Sequence, residues 1–138
     1  MPTGAENRER FTRMYIDAYR GDFGLIREIM SSAFVCRNPL NPAQGLDELV
    51  SMLEAQIAAF ADLEFEVRSS FASEDGFGIA YAIRGRHVDE VFGLAPSGER
   101  FEVTGVSIHE IVDGRSIGVF SSANFVDVLG GLKTGKGA

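Results

Sequence analysis

Apolar residues recur at helical spacing through the first part of the chain and at strand spacing in the remainder. Phe11, Met14, Tyr15, Ala18 and Tyr19 stand three and four residues apart, which predicts a helix over 7–19 with one apolar face. Gly21 and Asp22 interrupt it. Asp22 is placed to cap a second helix carrying Leu25, Ile26, Ile29 and Met30 on one side, making a helical hairpin. The prolines of Arg37-Asn38-Pro39-Leu40-Asn41-Pro42 forbid regular helix and mark a loop. A third amphipathic helix is expected over 46–60, with Leu46, Leu49, Val50, Leu53, Ile57 and Phe60 on its buried stripe and Gln56 near the same face.

From Leu63 the period becomes two, Phe65, Val67 and Ser69 alternating with Glu64, Glu66 and Arg68. Further strands are expected over 77–93, 100–111 and 115–124, divided by Glu74-Asp75-Gly76, Pro96-Ser97-Gly98 and Asp113-Gly114. Asp113-Gly114 is the strongest short hairpin signal in the chain. Three helices followed by an antiparallel meander define the α+β class, helices packing on one face of a curved sheet. With 138 residues the chain has the size of one domain, assigned to 1–132, and the polar, glycine-rich 133–138 is expected to fray.

The formal net charge of -7 would repel nucleic acid and an anionic membrane, and neither is expected as a partner. A single cysteine, Cys36, excludes an intramolecular disulfide, and two histidines are too few for an ordinary zinc site, so no metal is expected. No signal-peptide pattern opens the chain and no run reaches about 18 apolar residues. The expectation is a cytoplasmic protein.

Gly21-Asp22, Asn38-Pro39, Gly85-Arg86-His87, Gly93-Leu94-Ala95-Pro96-Ser97-Gly98-Glu99, Asp113-Gly114-Arg115, Phe120, Asn124 and Leu129-Gly130 follow one another in an order and spacing that resembles the SnoaL-like polyketide cyclases of the nuclear-transport-factor-2-like superfamily. The resemblance spans about 11–132. It implies a cone-shaped curved sheet packed against three N-terminal helices around an apolar pocket, frequent dimerisation, and intramolecular aldol ring closure without a cofactor. The same superfamily holds isomerases, dehydratases, epoxide hydrolases and members without catalysis.

Aldol chemistry needs a base beside a carbonyl and a donor for the oxygen that becomes negative. His87 falls at the family's strand histidine, and His109 lies in Ser107-Ile108-His109. Alternation puts either Ser107 and His109 or Ile108 and Glu110 on the inner face. The family's pocket lining favours His109. For His87 a structural role, paired with Arg84, Arg86, Asp89 or Glu90, outweighs a chemical one. The resemblance sets Asn124 where the family carries its catalytic aspartate, and an amide cannot release a proton near neutral pH.

Three readings follow. His109 is the base and Asn124 holds the enolate oxygen; or Asp127 or Glu110 supplies the acid; or the pocket only binds. Tyr15 is expected to line the pocket. Phe34, Phe92, Phe120 and Phe125 line it or fill it, while Phe11, Phe60 and Phe71 are expected to pack in the core. With Asn38, His87 and Ser107 these complete the candidate substrate site for a small apolar or aromatic carbonyl compound. The leading expectation is a cofactor-independent cyclase or isomerase working by proton transfer on a polycyclic carbonyl compound, as a homodimer. The alternatives are a non-catalytic binding or dimerisation module, and an accessory hydroxylation or epoxide-hydrolysis role, the last wanting an Asp-Arg-Asp arrangement.

Overall fold

The computed structural model of the protein describes residues 1–37 and 43–134. Helix α1, Gly4–Ala18, starts three residues before the expected position because Thr3 and Glu6 form a capping box. The Thr3 hydroxyl accepts from the Glu6 amide at 3.1 Å and the Glu6 carboxylate accepts from the Thr3 amide at 3.0 Å. Two orphan donors of the first turn are thereby satisfied. Those bonds hold the Glu6 carboxyl below its ordinary value.

Helix α2, Gly24–Ile29, is shorter than expected. Asp22 does not occupy its N-cap position, although its carboxylate accepts from the Gly24 amide at 3.0 Å. Met30 leaves the helix and opens strand β1, Met30–Cys36, which sequence periodicity did not show. After the short β2, Ala43–Gln44, comes α3, Leu46–Ala58, with Leu49, Val50 and Gln56 buried.

Strands β3, Phe60–Ala72, β4, Gly76–His87, β5, Arg100–Val112, and β6, Arg115–Ala123, form the antiparallel meander. The sheet has six strands in the order β2-β1-β6-β5-β4-β3. Strand β1 joins it parallel to β6, so the sheet is mixed where a pure meander was expected. Asp113 and Gly114, with φ of 51° and 77°, make the hairpin turn between β5 and β6, both central residues left-handed as a type I′ turn requires. Helix α4, Phe125–Thr134, carries the fold two residues past the expected boundary at Leu132, and the rest of the expected tail, 135–138, lies outside the described residues.

The inner face of the sheet meets α1, which sets Phe11 against Phe77, and Phe11, Phe34, Phe77, Ile83 and Val103 are all fully buried in the core. Each such side chain contributes roughly 1.5–3 kcal/mol relative to exposure. Phe60 is buried as expected, but Phe71 is 68% exposed, because the register shift between Val67 and Ser69 turns it to the outer face, where its ring lies over Gly78.

Gly105 opposes Tyr81 across β5 and β4, and a Cβ there would stand 2.6 Å from the Tyr81 hydroxyl and 2.9 Å from the Ala123 Cβ. Tyr81 is buried, so its ring must shift within the packed interior to make room. Gly105→Ala is therefore expected to lower unfolding free energy by about 1–3 kcal/mol, read by urea denaturation, whereas Gly78→Ala displaces only the exposed Phe71 ring and costs less.

Candidate functional site

Along β5, Ser107 and His109 face inward while Ile108, 58% exposed, and Glu110 face out. This resolves the alternation in favour of His109. Its ring lies between α1 and the sheet, edge-on to Phe11 and Tyr15 and against Phe34 and Phe77.

Strand β6 should present alternate residues inward, and Val119, Ser121 and Ala123 do so. A register shift against β5, pairing Glu110 with Gly118 but Ile111 with Ser116, inserts Ile117 as an extra residue and brings Ser116 inward as well. The Ser116 Oγ then sits 2.8 Å from His109 Nδ1 and 3.2 Å from the Gly118 carbonyl oxygen. From the opposite side, α1 delivers the Tyr15 hydroxyl to 2.7 Å from His109 Nε2.

The protonation pattern follows from these partners. A carbonyl only accepts, so the Ser116 hydroxyl donates to Gly118 and its oxygen receives His109 Nδ1–H. A neutral imidazole has one N–H, so Nε2 accepts the Tyr15 proton. Burial pushes the His109 pKa down to about 3 from its ordinary 6.5. Burial also raises the Tyr15 phenol far above its ordinary value, partly offset by the nearby Ser107 hydroxyl. Both groups are neutral across the physiological range.

Tyr15 lines a cavity of about 80 Å³, walled by Met14, Phe34, Leu49, Met52, Leu53 and Phe125 among others. Tyr15, Phe34, Phe92 and Ser107 line it as expected; Tyr19, Cys36, Gln56, Tyr81 and Ser121 line it too and were not chosen from the sequence. Among the described residues no charged side chain lines it. Pockets for drug-sized molecules measure about 300–1,000 Å³. In this conformation the cavity suits a single ring, and a polycyclic occupant requires the walls to yield.

Other expected site residues lie elsewhere. Asn124 is exposed at the end of β6, where its side-chain oxygen accepts from the Thr104 amide at 3.0 Å and its carbonyl accepts from Val128 in α4. It anchors a strand end and cannot hold an enolate in the cavity. Phe120 is 58% exposed because alternation with Val119 turns it to the outer face. His87 is fully buried beside Phe60, outside the cavity lining, with neither ring nitrogen hydrogen-bonded. The expected charged partners do not reach it; Arg84 instead pairs with Glu66 and Glu102. Asp127 and Glu110 are exposed and outside the lining, which removes the carboxylate reading, and Asn38 lies outside the described residues.

Among the described residues no cluster of metal-ligating side chains occurs, and no helix is long and apolar enough to cross a membrane. A histidine kept neutral by folding has a sign-defined effect on stability. The unfolded chain takes up the His109 proton below about pH 6.5 and the folded chain does not until about pH 3. Stability from this residue is thus complete above pH 6.5 and lost as pH falls toward 3, at up to about 1.4 kcal/mol per pH unit. Denaturation curves from pH 7 to 4 are expected to show this slope, reduced in His109→Gln.

Comparison with known proteins follows the same lines. The model of the SnoaL-like polyketide cyclase family matches residues 9–130. AclR from Streptomyces galilaeus, provisionally named a hydroxylase, superposes with a TM-score of 0.79 at 26% identity, covering 93% of this chain and 98% of AclR. A protein from Jannaschia sp. CCS1, provisionally named a SnoaL-like polyketide cyclase, gives 0.85 at 19% identity over 96% and 95% of the two chains. IdmH from Streptomyces antibioticus, provisionally named a polyketide cyclase, gives 0.77 at 21% identity over 92% and 98%. No curated protein sequence matches significantly. With the family pattern running through nearly all of its length and the fold shared with these structures, the chain belongs to the SnoaL-like polyketide cyclase family.

Proposed function

We propose that the protein is a cofactor-independent enzyme that moves a proton on an enolisable, largely apolar carbonyl compound, in ring closure or isomerisation. The observation that carries this reading is the 2.7 Å contact between His109 Nε2 and the hydroxyl of Tyr15, a residue lining a mostly apolar cavity. Tyr15 faces the ligand, and His109 works through it. As the phenol oxygen takes a proton from the carbon beside the carbonyl, its own proton passes to Nε2.

The low pKa of His109 describes the cavity without a counter-charge. Enolate formation supplies one, and an imidazolium and an enolate a few ångströms apart in a medium of low dielectric stabilise each other. Apolar walls hold the substrate and exclude water. An Asp-Arg-Asp hydrolase centre has no support, since no charged side chain lines the cavity among the described residues. That same absence favours a second reading, a pocket that binds without turnover.

Hydrogen–deuterium exchange at the methyl group of acetophenone, followed by proton NMR in heavy water, decides between them. The wild type is expected to accelerate exchange, with a loss of about 10²-fold or more in Tyr15→Phe and His109→Gln. A wild type that binds acetophenone without accelerating exchange establishes the binder instead.

The expected homodimer is assigned to the outer face of the sheet, where Phe71, Val106, Ile108, Ile117 and Phe120 are exposed together. Two copies of a chain with net charge -7 repel unless they meet where charge is balanced, and this face pairs Arg68 and Arg84 with Glu66 and Glu102. Light scattering is expected to give twice the chain mass for the wild type and the monomer mass for Ile108→Glu combined with Phe120→Glu. A monomeric wild type at micromolar concentration removes the assignment.

A further inference from the structure

Helix α3 presents Leu49, Met52, Leu53 and Gln56 to the cavity, a spacing that keeps them on one face of the helix. The first three are apolar. Gln56 ends the stripe and is only 8% exposed. Its backbone carbonyl accepts from the Ala59 amide at 3.1 Å and so serves the end of the helix, but among the described residues its carboxamide has no hydrogen-bond partner.

Asn7, another buried amide, shows what such a group ordinarily has. Its nitrogen donates to the Ser73 carbonyl at 3.0 Å and its oxygen accepts from Arg10 at 3.1 Å. The Gln56 amide has neither, whichever way it is turned. It is also not sealed in, for among the described residues only the His87 side-chain nitrogens are both unpartnered and closed off from any open space. The space that Gln56 borders is the cavity. A buried polar group in this state destabilises the fold until an occupant supplies the missing partner.

The other polar groups of the lining are placed differently. Tyr15 is committed to His109, and Ser107 and Ser121 are hydrogen-bonded to each other at 2.8 Å. The Tyr19 ring lies flat on Phe65 at the border of an outer cleft shared with Arg20 and Glu64, and the Tyr81 hydroxyl lies over Gly105 of the sheet. Each phenol has one proton to place, whereas the carboxamide has two N–H donors and an acceptor, all unmatched. An orphaned N–H is rarer in folded proteins than an orphaned carbonyl and makes the stronger demand. It calls for an oxygen. That oxygen is neutral, because among the described residues no cation lines the cavity to balance a carboxylate.

We propose that Gln56 is the residue that selects the ligand, its carboxamide N–H donating to a neutral carbonyl oxygen on a molecule about one aromatic ring in size. The proposal rests on the cavity being the ligand site, as in the proposed function, and not on turnover.

Acetophenone and α-methylstyrene, nearly equal in shape and differing by an oxygen in place of a CH₂ group, test it by NMR titration of wild type, Gln56→Met, Tyr19→Phe and Tyr81→Phe. Wild type is expected to prefer the ketone. Among the three variants the loss of that preference, about tenfold, is expected in Gln56→Met, which keeps the side-chain length and binds α-methylstyrene as before. Ligand-free Gln56→Met is expected to melt no lower than wild type, since it loses only an unmatched group. The proposal is overturned by a wild type without preference, by a preference that survives in Gln56→Met, or by equal loss of both ligands. A lower melting temperature of ligand-free Gln56→Met, or a loss that appears instead in Tyr19→Phe or Tyr81→Phe, overturns it too. Each of these outcomes leaves the cavity as a ligand site. Failure of wild type to bind either compound removes the ligand-site reading and the proposal with it.

Discussion

A neutral imidazole buried in an apolar interior makes two opposite demands, one nitrogen needing an acceptor and the other a donor. Much of this structure is arranged around meeting both at His109. Ser116 reaches Nδ1 because β6 carries an extra residue at Ile117, and Tyr15 reaches Nε2 because α1 lies across the inner face of the sheet. Were either partner missing, an orphaned polar atom would cost on the order of 1–3 kcal/mol. The pair is at once a condition of packing α1 on the sheet and the chemical feature of the cavity.

His87 shows the contrast. It is as deeply buried as His109 but lacks hydrogen bonds at both nitrogens, and it packs against Phe60 away from the cavity. Burial alone does not make a site. What distinguishes His109 is its connection to a cavity-facing hydroxyl through partners that fix its tautomer, so that a change at the ligand is felt at the ring.

The sheet separates two kinds of surface by parity. Inward positions of β5 and β6 carry Ser107, His109, Val119 and Ser121, while outward positions carry Val106, Ile108 and Phe120. Both sets contain apolar residues, which is why hydrophobicity alone did not tell pocket from outer face. Phe71, expected in the core, lies outside because a one-residue step in β3 reverses the face of every residue beyond it, and Phe120, expected at the pocket, is turned out by alternation with Val119.

The α+β class, the three N-terminal helices and the meander with its Asp113-Gly114 turn were legible in the sequence, because period and turn chemistry are local properties; the inward place of Ser107 and His109 was chosen by the family resemblance, since alternation left both faces of β5 open. The capping box of Thr3 and Glu6 was also written there, though the apolar stripe alone placed the helix start too late. Strand β1, paired in parallel with β6, was not legible, since seven residues of mixed polarity become a strand only when a distant partner supplies their hydrogen bonds. Nor were Ser116 and Ser121, ordinary serines until a bulge and a neighbouring strand set them beside His109 and Ser107. Asn124 went the other way: a matching position in the chain became an exposed strand anchor once alternation and the turn into α4 fixed its direction. Local spacing determined which elements form, and only the register between elements decided which polar atoms meet, because a hydrogen bond depends on distances that no single segment contains.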